Sequence, residues 1–241
     1  MGAFLCSLFL LFCFFNTMSN RTIRSLRAVL TSCLMWTGGV ILVRLQVFPG
    51  IHFWHNFAVL GLLMIPVCMY AFLFGFLKIT EHDALIYTYG VLTVALVLGN
   101  FWSETILPAP DAIIRTDGTF GYEYHATAGI WVLTALEISI LVYVTYLAHC
   151  KIGGDLQLRK KLQPLLLGTL FILTGCLLCL IPGNVFPFDM LGGVAMAVCM
   201  VYIMYKQYLF DFSYRVTVGA VYFLAVVVAS LPLVILFHNL E

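Results

Sequence analysis

Charge is what this chain has least of. Only 10% of its 241 residues are Asp, Glu, Lys or Arg, against about 25% in an ordinary soluble domain. With a mean hydropathy of +1.04 and 63% hydrophobic residues, little chain is left to clothe a water-facing surface. Catalytic signatures are also missing. There is no H-E-x-x-H, no G-x-S-x-G and no phosphate loop, which disfavours an intramembrane or soluble enzyme of those kinds. No cysteine falls in the long polar link 104–125, so no extracellular disulfide framework is expected. Internal repeats, low-complexity tracts and the paired broken helices of secondary transporters are not evident.

What is present is a recurrence of apolar runs of about 20 residues, the length needed to cross about 30 Å of hydrocarbon as a helix. The fold class expected is all-α, a polytopic transmembrane helical bundle of seven spans plus an eighth, C-terminal hydrophobic helix. The runs are Gly2–Met18, Leu26–Leu45, His52–Leu77 (broken by Pro66), Ala84–Trp102, Ala126–Ala148, Leu162–Ile181 (opening on Pro164), Phe188–Tyr205 and Val216–Phe237 (containing Pro232). Short links make sequence neighbours antiparallel neighbours. The first run lacks a basic n-region and a small-x-small cleavage pattern, so it is expected to stay as a helix.

Lys and Arg set the orientation. With the N-terminus outside, the inner links hold Arg21, Arg24, Arg27, Lys78, Lys151, Arg159, Lys160, Lys161, Lys206 and Arg215, and the outer ones only Arg44 and Arg115. The long outer link carries Glu104, Asp111, Asp117 and Glu123 instead. This polarity is topology, not a nucleic-acid footprint, and the lipid bilayer is the first partner. The sequon Asn20-Arg21-Thr22 lies on the inner side, out of reach of glycosylation.

Polar groups at membrane depth are the candidates for function. Glu137, in WVLTALEISIL, sits near the middle of the fifth span, where a carboxylate costs roughly 2.5–3.5 kcal/mol on insertion scales. Either it takes part in ligand recognition or it is a protonated interhelical hydrogen-bonding group; both readings stay open. Thr134 shares its face. A second cluster lies at the outer span ends: Arg44, His52, His55, Trp102, Glu104, Trp131 and Asp189, with Trp54, Tyr122, Tyr124 and His125 nearby. Its aromatics alone would be an interfacial belt. Mixed with imidazoles, carboxylates and an arginine, they also describe the mouth of a ligand pocket. His52 and His55 lack a third metal ligand, Cys176-x-x-Cys179 has no partners, and no cofactor is expected.

By the seventh span a family resemblance has accumulated. It rests on the basic turn Asn20–Arg27 leading to a span with Trp36 and on the run Trp102–Pro110 before a polar loop with Gly121 and Tyr122. The Arg159–Pro164 turn, Pro187 and Asp189 add to it, as does the exit Tyr205-Lys206-Gln207-Tyr208-Leu209-Phe210-Asp211. Over residues 2–213 the chain resembles the N-terminal seven-transmembrane sensory domain of bacterial histidine kinases and related signalling proteins. That resemblance implies a membrane-embedded receptor domain, 1–213, in the bacterial inner membrane. It would bind an unknown small-molecule or lipid ligand and relay the change to a cytoplasmic output module that this chain does not contain. Residues 214–241 are then an additional hydrophobic helix, the truncated start of a further membrane segment, and the chain is expected to be a fragment. A homodimer is implied by analogy with the kinases. The rival reading is a small membrane transporter or channel.

Overall fold

In the computed structural model, residues 21–77, 84–103, 108–114, 120–123, 127–152 and 156–179 are described, with isolated helical positions in 4–11 and 188–202. Five long helices dominate: α1 Arg21–Arg44, α2 Ile51–Phe76, α3 Ala84–Ser103, α4 Ala128–Ile152 and α5 Leu156–Cys179. Helices α1 to α4 are each long and apolar enough to cross a membrane. They correspond to the second to fifth runs of the sequence.

Helix α1 begins earlier than its apolar run, so Arg21, Arg24 and Arg27 form its first turns. Positive charge opposes the helix dipole there, and hydropathy alone therefore starts the span too late. Helix α5 also starts early, and Pro164 lies inside it rather than at its opening. The preceding Leu-Gln-Leu-Arg-Lys-Lys-Leu-Gln stretch is rich in strong helix formers, which carries the helix back into the basic link.

Helix α2 is the centre of the described bundle, packing against α1, α3 and α4, while α5 packs on α4. The α1–α2 pair is the most extensive contact. Its closeness depends on small residues. A methyl group at Gly39 would stand 2.7 Å from the Ala58 Cβ, and one at Gly61 would stand 2.5 Å from the Trp36 backbone nitrogen. Between them Ile23, Leu26, Leu30, Cys33 and Val40 of α1 and Ala58, Ile65, Met69 and Leu73 of α2 enter one buried core.

The turn 45–50 closes α1 with a Schellman arrangement. The Gln46 amide donates to the Val43 carbonyl oxygen at 3.2 Å and the Val47 amide to that of Leu42 at 3.4 Å. Gln46 takes the left-handed conformation (φ 49°) usually filled by glycine. The Trp54 indole then donates to the Val47 carbonyl oxygen at 3.1 Å, pinning the turn to α2.

Helix α3 buries one stripe, Ile86, Tyr89, Gly90, Thr93, Val97 and Asn100, at the helical spacing that faces a neighbour. Leu85, Val91, Leu92 and Leu98 point outward, as they would towards lipid. The link between α3 and α4 adds the only strands among the described residues. Strands β1 (Asp111–Ile114) and β2 (Phe120–Glu123) form an antiparallel hairpin, with Asp111 opposite Glu123 and Ala112 opposite Tyr122. The Tyr122 hydroxyl donates to the Val43 carbonyl oxygen at 3.1 Å and lies 3.4 Å from that of Arg44. The hairpin therefore caps the last turn of α1, where carbonyls lack helical donors.

Candidate functional site

Inside an apolar bundle each polar side chain must find a partner or carry a large desolvation cost. Where such groups gather is where function is sought. The described residues place them in two layers along α2.

One layer, at the end of the bundle that the basic links predict to be outer, joins α2 to α3. Asn56 and Asn100 are fully buried, and the Asn100 Nδ2 donates to the Asn56 Oδ1 at 2.9 Å. The Asn56 Nδ2 donates in turn to the His52 carbonyl oxygen at 2.9 Å and lies 3.3 Å from the His52 ring nitrogens. The His52 Nε2 reaches the Phe101 carbonyl oxygen at 3.3 Å, and its ring meets Phe101 edge-on at 6.0 Å. Helical spacing explains the chain of contacts: His52 and Asn56 are one turn apart on α2, and Asn100 and Phe101 are adjacent at the outer end of α3. His55 is buried beside the layer, within electrostatic reach of His52. Among the described residues no three metal-ligating side chains come together. The layer brings amide and imidazole donors and acceptors together beside an aromatic ring.

The deeper layer surrounds Pro66, midway along α2. Proline has no amide hydrogen, so the Leu62 carbonyl loses its usual helical donor. The neighbouring turn is held from α3, where the buried Tyr89 hydroxyl donates to the Leu63 carbonyl oxygen at 3.1 Å. Such ties from adjacent helices are how membrane bundles tolerate proline. On the other side lies a cavity of about 10 Å³ lined by Ile65, Pro66, Glu137, Leu141, Thr169, Ile172 and Leu173. Glu137 is 5% exposed and near enough to Tyr89 for their charges to interact.

The eight residues expected from the sequence thus separate. His52 and His55 stand together in the outer layer. Glu137 belongs to the deeper one, on α4 and away from α3's outer end. Arg44 is exposed at the end of α1, beside the hairpin that Tyr122 anchors. Trp102 and Trp131 stand outward, 85% and 49% exposed, as interfacial aromatics do. Glu104 and Asp189 lie outside the described residues. The sequence reading missed Asn56 and Asn100, whose buried side chains bond to each other. A signal existed: each is an amide inside an apolar span, and Asn56 follows His52 by one helical turn.

The fold and its buried polar layers define a polytopic helical membrane protein. The sequence model of the N-terminal 7TM region of histidine kinase matches residues 1–213. The chain belongs to that family and is a membrane sensory domain of the histidine-kinase type. Comparison with curated proteins gives no match, and comparison with solved structures gives none either.

Proposed function

We propose that this sensory domain recognises a small neutral polar molecule or a lipid at its outer half, in the layer His52–Asn56–Asn100. The hydrogen-bonded, fully buried Asn56–Asn100 pair carries the reading. A ligand that competes for these amides changes how α2 and α3 hold each other. Differential affinity for the two arrangements is what a ligand needs to shift their populations. Arg44 and the hairpin frame the entrance, with Trp102 and Trp131 at its rim, and Glu104 and Asp189 are the further candidate contacts. The basic links support a seven-span domain over 1–213 with its N-terminus outside, in the bacterial inner membrane, and the change passes to the cytoplasm through 206–215. Residues 214–241 add an eighth hydrophobic helix.

The test is hydrogen exchange on the chain reconstituted in lipid vesicles, across lipid compositions and pools of small neutral polar metabolites. At least one condition protects amides in 52–56 and 97–101, and Asn56→Leu abolishes that protection. The proposal fails if no condition alters exchange in these segments, or if protection survives both Asn56→Leu and His52→Ala. Solute flux through the same vesicles would replace it with a transporter reading.

A further inference from the structure

The cavity beside Pro66, at about 10 Å³, just reaches the volume that one water needs. Into it faces a glutamate that is 5% exposed. No hydrogen bond or ion pair holds Glu137 among the described residues, and the rest of the lining is aliphatic except for Thr169. An ionised carboxylate here would need a cation. Hard cations take six or more oxygen ligands, and this wall supplies a carboxyl and one hydroxyl. A neutral carboxylic acid with one water meets the same demand at far lower cost, because a water needs only two to four polar partners.

We propose that the cavity is a binding site for a single ordered water that links a protonated Glu137 on α4 to Thr169 on α5, against the Pro66 turn of α2. The Glu137 hydroxyl donates to the water, and the water donates to the Thr169 Oγ1. That oxygen remains an acceptor while its own hydrogen goes to the Leu166 carbonyl oxygen at 2.8 Å. The nearest titratable group shown to interact with Glu137 is Tyr89. A phenol carries no positive charge that could stabilise a carboxylate, and its hydroxyl hydrogen already goes to the Leu63 carbonyl oxygen. Glu137 is then a positioning residue that ties α4 to α5 where both pack beside the Pro66 turn of α2. The outer layer does the recognising, and this inference stands whether or not that reading does.

Infrared difference spectroscopy of the reconstituted full chain tests it at neutral pH. Wild type minus Glu137→Gln isolates the carboxyl. The expected result is a protonated C=O band that shifts in heavy-oxygen or deuterated water, moves again in Thr169→Val, and does not respond to sodium or potassium. Glu137→Gln replaces the acid O–H with an amide N–H donor of similar size and is expected to fold like wild type, which far-ultraviolet circular dichroism checks, so that loss of the band is separated from loss of structure. A carboxylate band at Glu137 overturns the proposal, as does a band that responds to the cations or is unmoved by Thr169→Val.

Discussion

The Asn56–Asn100 bond ties α2 to α3 through two fully buried side chains, and removing it has a calculable consequence. The two side chains meet at 2.9 Å with neither exposed, so no water replaces a lost partner. Asn100→Leu keeps the volume roughly constant but leaves the Asn56 Oδ1 without this donor. An unsatisfied buried acceptor costs about 1–3 kcal/mol in general, and interhelical bonds in membranes couple by about 0.6 kcal/mol on average and up to about 1.7. A destabilisation of about 1–2 kcal/mol is therefore expected. Asn56→Leu should cost more, because it also removes the bond to the His52 carbonyl oxygen. The double variant should be less damaging than the two single losses together, by about 0.6–1.7 kcal/mol. Steric-trapping or detergent unfolding in bicelles measures all four corners of the cycle. Strict additivity, within about 0.3 kcal/mol, would show that the two amides do not hold each other and would remove the basis of the outer layer.

Further outcomes test other parts of the structure. Gly61→Ala forces a methyl to within 2.5 Å of the α1 backbone and should destabilise by about 1–3 kcal/mol. Gly99→Ala, with nothing within 4 Å, should be neutral or stabilising by up to about 1 kcal/mol; similar losses at both sites would contradict the close α1–α2 approach. Tyr122→Phe removes the hydroxyl that caps α1 and should speed amide exchange in 111–114 and 120–123 while global unfolding changes by no more than about 1.5 kcal/mol. Unchanged hairpin exchange would mean that the tether does not order the link. Cys150 is exposed near the C-terminal end of α4 while Cys33 is buried. A membrane-impermeant maleimide should modify Cys150 in inside-out vesicles only and Cys33 in neither orientation; modification of Cys150 from the cell exterior would reverse the proposed topology.

Hydropathy alone determined that this chain lives in lipid, and it located the ends of α2 and α3 to within about a residue. The reason is that the bilayer acts on each segment separately: every span must be long enough, apolar enough and internally hydrogen-bonded. The uneven sharing of Lys and Arg between links was equally legible, and the exit sequence at 205–211 carried the family. Only the tertiary structure decided which face of each helix turns inward, because hydrocarbon is as apolar as leucine and gives no stripe to read. Helix α4 is apolar nearly all round, so nothing local indicated that Glu137 would meet Pro66 and Thr169. Asn56 and Asn100 are 44 positions apart, Tyr122 reaches back to α1, and Gly61 lies on the Trp36 backbone. Such pairings depend on close packing and shared hydrogen bonds between distant segments, which exist only once the helices have come together.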